Sequence, residues 1–385
     1  MTSLPFFSIG ILAPIFEKQF NWEFSQIMGG LFLVSVVVLL LGPFIGSALD
    51  RFGPRRIATV SLVLLGFSYM TLALGDGSLG RYYATWLAIA VLGIGATVIS
   101  FTHAINTTFV HRRGTALGIA LAGSGLSTII IKPAANLLVA EYGWQVAVLV
   151  LGSLPILVAA PLASWGLPGG RGTVAADEAR PTPPKTGLTV GEALRSRSFW
   201  TLIIMFGPIA VANGAPIPNM EKILTKLALT QGEVVLLTAL IGVGMVAGRL
   251  VGGWLIDRFF APVVGAILMV AAAAGCHLLS SPDAGFPVAL AAVLMLSLAA
   301  GLEYDLLAFL VARYIGMRSY GRMYGVMFGV FAIGAGGGPA LLGHSYDTLG
   351  SFGVGLNWCA VGLLFAAMVT LTLGRYPDFS AREAA

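Results

Sequence analysis

Twelve apolar stretches run along the chain, near 1–16, 25–49, 57–75, 82–106, 114–139, 144–166, 199–220, 233–256, 261–281, 286–312, 322–343 and 353–374. The gaps between them are short and hold most of the charges and turn-forming residues. Each stretch from the second onward is about long enough to cross a hydrocarbon core of ~30 Å, which takes ~20 helical residues. The first covers only ~24 Å at 1.5 Å per residue, so the chain is expected to begin inside its first span. No Lys or Arg precedes Lys18, and no cleavable signal peptide is expected. The pattern predicts an all-α membrane protein with twelve transmembrane helices in two six-helix bundles. The gap 167–198, with "GGRGTVAADEARPTPPKTG" inside it, predicts a cytoplasmic linker between bundles at 1–166 and 199–385.

Composition agrees with that pattern: of 385 residues, 57% are hydrophobic and only 10% charged, with a mean hydropathy of +0.90. A net charge of +5 would raise nucleic acid as a partner for a soluble chain. Here the basic residues sit in loops, so the partner is the bilayer. Counting Lys and Arg by alternate gaps gives sixteen on one side and four on the other, with Lys132 and Arg249 inside helices. The rich side is expected to be cytoplasmic, with the C-terminus there and the protein in the plasma (inner) membrane. The two cysteines lie in apolar runs and define no disulfide framework or metal cluster. "GAGGGP" lacks the Lys and Ser/Thr of a nucleotide loop, so no cofactor and no ATP-driven step is expected.

The halves resemble each other. "GSALDRFGPRR" ends the second segment and "GGWLIDRFFAP" the eighth, with Asp50 and Asp257 offset by 207; Arg113 and Arg322 stand before the fifth and eleventh. An in-phase repeat of six helices is a recurrent transporter design. Small residues recur every four positions at Gly42 and Gly46, Gly114, Gly118 and Ala122, Gly244, Gly248 and Gly252, and Gly321, Gly325 and Gly329. Such ridges let backbones approach closely, as generic packing or as a seam between the halves.

Several polar residues lie deep in the spans. Arg249 stands eight residues, ~12 Å of helix, before Asp257, so it must face a cavity or a partner. Its planar fork suits a carboxylate, which points to a small organic anion, with a static ion pair as the alternative. Glu303 and Asp305 precede Arg313 by ten and eight residues, ~15 and ~12 Å, at a similar depth. Being about 200° apart on a helix, only one can meet Arg249. Substrate displacing that carboxylate would force it to take a proton or stand unpaired, a route to proton coupling. His103, Asn106 and Asn213 are further candidates for substrate binding, each with a packing role as the plainer alternative; Asn213 lies beside Gly214 and Pro216, where the helix should weaken.

Gly46, Asp50, Arg51, Gly53, Arg55 and Arg56 resemble the signature loop of the major facilitator superfamily, and Gly253, Asp257 and Arg258 its weaker second copy. Within it, "RRGTALGIALAGSG", "EYGW", "SRSFWTL", "GRLVGGWLIDR" and "RYIGMRSYGRMYG" resemble the monocarboxylate transporter and oxalate/formate antiporter branch. The resemblance implies the major facilitator fold, a carboxylate-binding role for Arg249, and a cytoplasmic gate at Asp50, Arg51, Arg55, Arg56, Asp257 and Arg258 closed by ion pairs. It departs from the branch at the short first segment, at Phe331, near where oxalate carriers place a lysine, and at Met245, where animal monocarboxylate carriers place an aspartate. The Phe331 departure argues for singly charged substrates; the Met245 departure moves any proton site elsewhere. The expected activity is secondary transport of a small monocarboxylate, not enzymatic, by a monomer, with proton symport or anion exchange. An exporter of amphipathic compounds and a non-transporting membrane sensor are the alternatives.

Overall fold

The computed structural model describes residues 4–109, 112–168 and 186–379, with the side chains of 6, 7, 10, 24, 25, 28, 124–133 and 136 excepted. Most of the expected linker, 169–185, lies outside the described residues. Among those described, the regular structure is helical apart from one antiparallel bridge, Gly187 to Gly316.

The first half comprises α1 (Leu4–Phe20), α2 (Phe24–Phe52), α3 (Pro54–Met70), α4 (Leu79–Gly93), α5 (Val98–Thr108), α6 (Arg113–Leu154) and α7 (Ala160–Gly166). The local sequence explains the breaks. Glu23 and Gln26 form a capping box at the start of α2. Gly53 reverses the chain at φ 81 and Pro54 opens α3, where its missing N–H costs nothing. Gly143, at φ 83, interrupts α6 in "EYGW". A short 3-10 turn, Ile94–Ala96, separates α4 from α5. The second half comprises α8 (Val190–Arg195), α9 (Arg197–Gly214), α10 (Pro216–Leu224), α11 (Gln231–Arg258), α12 (Ala261–Leu279), α13 (Phe286–Tyr314), α14 (Tyr320–Leu349) and α15 (Gly353–Leu371). The end of the expected linker is thus folded: Leu188 N–H donates to the Ile315 carbonyl (2.9 Å), Met317 N–H to that of Thr186 (2.8 Å), and Thr189 caps α8.

Ten helical stretches among the described residues are long and apolar enough to cross a membrane, rather than the twelve expected. Of the other two apolar segments, the first forms the seventeen-residue α1, shorter than a span of ~20 residues. The fifth lies in α6, where much of its side-chain detail is outside the description. Exposed apolar side chains such as Phe44, Leu157, Trp165 and Trp358 cover the outer faces, as lipid requires.

By packing, 4–108, 123–168 and 319–329 form one unit, and 109, 112–122, 186–318 and 330–379 a second. The first is organised around Leu62, Leu65, Tyr69, Trp86, Trp144 and Val148. At the Trp22 end of α2, Phe16, Phe20, Trp22, Tyr82 and Trp144 form a ring cluster with centroids 4.9–6.2 Å apart. The second unit is organised around Leu237, Ala272, Cys276, Leu296, Leu356 and Leu363.

Glycines set the closest approaches. In the first unit a Cβ at Gly46 would run into the Gly321 carbonyl, and one at Gly42 into that of Gly325. In the second, a Cβ at Gly114 would strike the Gly253 carbonyl, and one at Gly118 that of Arg249. These two pairs of crossings are related by the same offset of 207 as Asp50 and Asp257. The ladder Gly244, Gly248 and Gly252 has a different partner from the seam the sequence suggested: it lies on Ser297, Leu298 and Leu302 of α13.

Candidate functional site

The second ladder places the deep charges. With no side chains on Gly244, Gly248 and Gly252, and with Gly301 against the Met245 carbonyl, α11 and α13 touch at backbone distance. That contact sets Arg249 beside Asp305, both buried, with 6% and 0% of their surfaces exposed. The Arg249 Nη1 lies 3.8 Å from the Asp305 Oδ1. This is an ion pair longer than a hydrogen bond, and neither Asp305 oxygen has a hydrogen-bond partner among the described residues. A buried, incompletely satisfied charge pair is costly unless something else completes it.

Glu303 points elsewhere, as the helical angle requires. Its Oε2 accepts a hydrogen bond from Asn213 Nδ2 on α9 at 3.1 Å, while Asn213 Oδ1 is buried with no hydrogen-bond partner among the described residues. Asn213 and Glu303 line a narrow crevice with Phe206, Ile209, Met269 and Leu302. The helix does break beside Asn213, between Gly214 and Pro216, though Ala215 N–H still reaches the Val211 carbonyl at 2.9 Å. Between the two carboxylates lies Tyr304, its ring 5.8 Å from the Arg249 guanidinium and 4.8 Å from the Phe331 ring. Tyr304 carries one signal in the sequence, its place between Glu303 and Asp305.

His103 and Asn106 keep other company. In the first unit, His103 Nε2 is 3.1 Å from Asp50 Oδ1, and Asn106 Nδ2 donates to the Tyr320 hydroxyl at 2.9 Å. They stand with the Asp50 loop, whereas Asn213 stands with Glu303. Asp50 also accepts the backbone N–H groups of Gly321 and Arg322, both at 3.4 Å, in the first turn of α14. Its repeat mate Asp257 accepts from Gly114 N–H, Thr115 N–H and the Thr115 hydroxyl, all at 2.7 Å, in the first turn of α6.

Both loop carboxylates are therefore held by helix N-termini, whose free N–H groups and dipole attract an anion. Asp50 has in addition the His103 imidazole at 3.1 Å. Among the described residues Arg51, Arg55, Arg56 and Arg258 form no salt bridge within 4 Å. Arg51 lies over Phe52 and Arg258 over Trp254. Thr115, Tyr320 and the two helix starts were missed, although the 207 offset relating Gly114 to Gly321 could have revealed them. That register also corrects the pairing of Arg113 with Arg322: Arg113 matches Tyr320, and Thr115 matches Arg322.

Two helical halves repeated in register, each with a loop carboxylate held by a helix start, define a membrane transporter rather than an enzyme. The family description "Major Facilitator Superfamily" matches residues 1–339, and the chain belongs to that superfamily. It is 27% identical over 366 residues to human monocarboxylate transporter 11, covering 90% of this chain and 74% of that protein. Among solved structures, the proton:xylose symporter XylE superimposes with a TM-score of 0.72 at 12% identity, covering 100% of this chain and 94% of that one. The E. coli fucose:proton symporter FucP gives 0.71 at 14%, covering 97% and 98%. At these identities the structural likeness is one of fold.

Proposed function

We propose that the chain is a secondary carrier of a small organic monocarboxylate, working by alternating access, with Arg249 as the carboxylate anchor. The observation that carries this reading is the loose Arg249–Asp305 pair. A guanidinium 3.8 Å from a carboxylate with two unfilled acceptors is an arrangement that an incoming carboxylate can enter by taking the Arg fork bidentately. Similarity to monocarboxylate transporter 11 supports the substrate class. The neighbouring Tyr304 and Phe331 rings suit the apolar remainder of a monoacid better than a second charge.

In this reading Asp305, released when substrate takes Arg249, picks up a proton, and Glu303 with Asn213 shapes the adjoining crevice. The protein crosses the membrane twelve times and acts as a monomer in the plasma membrane. Its C-terminus and the Asp50 and Asp257 loops face the cytoplasm, where the helix-held carboxylates close the inner gate. Counterflow in proteoliposomes across a panel of monocarboxylates and dicarboxylates tests the proposal. Accumulation of labelled monoacid driven by internal unlabelled monoacid is expected, and no counterflow with any organic anion would overturn it.

A further inference from the structure

The two carboxylate clasps are repeat mates, yet they are built differently. Asp257 receives three bonds of 2.7 Å from the start of α6. Asp50 receives two of 3.4 Å from the start of α14 and is held besides by His103. Position 310, the repeat mate of His103 at the same offset, is Leu310, so among the described residues only the Asp50 clasp has an imidazole.

His103 is nearly sealed, with 3% of its side chain exposed against 19% for Asp50, and its Nδ1 is buried with no hydrogen-bond partner among the described residues. The groups facing the ring are Asp50 from α2 and Tyr320 from α14, whose ring centroid lies 5.9 Å away. On α3, which also packs on α5, the nearest titratable groups are Arg55 and Arg56 in its first turn. α5 carries no other titratable side chain, and those of α4 (Arg81, Tyr82, Tyr83) stand in its first turns, at the far end from α5. Asp50 is thus the one anion His103 meets within salt-bridge distance among the described residues.

We propose that His103 makes the Asp50 clasp responsive to pH while the Asp257 clasp is not. As an imidazolium, His103 gives Asp50 a bond with charge on both partners that fixes the carboxylate where it reaches Gly321 and Arg322; as a neutral imidazole it gives a weaker one, with charge on the carboxylate alone. Since Oδ1 is shared between His103 and Gly321, the orientation His103 enforces is the one that serves the helix start. Protonation tightens the start of α14, and deprotonation loosens it. The device acts on the protein whatever it carries, so it does not rest on the proposed substrate.

Amide hydrogen exchange of the full-length protein in nanodiscs at pH 6 and pH 8, corrected for intrinsic exchange, tests this. Protection of 321–324 is expected to fall about five- to tenfold at the higher pH, as the bond to Asp50 loses the charge on its donor. Protection of 114–117 should stay constant, and His103→Gln should abolish the change at 321–324. Equal protection at both pH values in the parent, an equal fall at 114–117, or an unaltered fall in His103→Gln would each overturn the proposal. The parent's two helix starts decide the matter even where the variant does not fold.

Discussion

Arg249 and Asp305 are 3.8 Å apart, wider than the close, fully bonded geometry from which a structural buried pair gains its stability. Arg249→Lys keeps the charge and loses the fork. Uptake of the monoacid should fall roughly 10- to 100-fold, the worth of one to two charge-assisted bonds, while the purified protein keeps its melting temperature. Binding measured by isothermal titration would show the loss as affinity. Asp305→Asn and Glu303→Gln divide the coupling role: the coupling residue's variant should lose uptake driven by an inward proton gradient but retain exchange. If both variants keep gradient-driven uptake, neither carboxylate carries the proton. The depth of Arg249, Glu303 and Asp305 could be read by counting along helices, and the 200° rule said that they diverge. Which one meets Arg249 could not, since that depends on the rotation of α13 against α11, and this is fixed by three-dimensional packing on Gly244, Gly248 and Gly252.

At the scale of elements, the fold rests on helices brought to backbone contact and on carboxylates that close helix starts. Ten of the twelve expected spans and the breaks at Gly53, Gly143 and Pro216 were legible because Gly and Pro act locally on φ and on hydrogen bonding. The partners of Asp50 and Asp257 were not, because the groups that bind them are main-chain N–H groups, which every residue but proline possesses and no motif marks. Gly118→Val should force α6 away from the Arg249 carbonyl and destabilise the protein by about 1–3 kcal/mol, seen as a lower midpoint in detergent unfolding. Gly123→Val, five residues on, where a Cβ would meet nothing within 4 Å, should leave the midpoint within about 0.5 kcal/mol of the parent. Asp257→Asn exchanges three charge-assisted bonds for neutral ones and should raise exchange at the start of α6, with no effect at the start of α14.

For the whole molecule, the hydrophobic pattern conveyed the class, and the repeat conveyed the matching registers of the two halves. Selectivity is the property that tests the whole: one deep arginine beside Tyr304 and Phe331 predicts that lactate-like or aromatic monoacids outcompete oxalate and malonate in proteoliposome uptake. Preferential uptake of the diacids would refute the assignment of Arg249 as a lone anchor. The exchange of short stretches between the packing units has a separate consequence, for assembly. The unit built on the first half of the sequence includes 319–329, and the one built on the second half includes 112–122. A chain severed between 168 and 186 therefore yields two fragments, each missing one shoulder of its own architecture: the first with Gly42, Gly46 and Asp50 unoccupied, the second with Gly253 and Asp257. Expressed alone, such fragments should be short-lived in the cell. Co-expressed, they should complement one another in trans, and cleavage after folding should leave the two pieces associated.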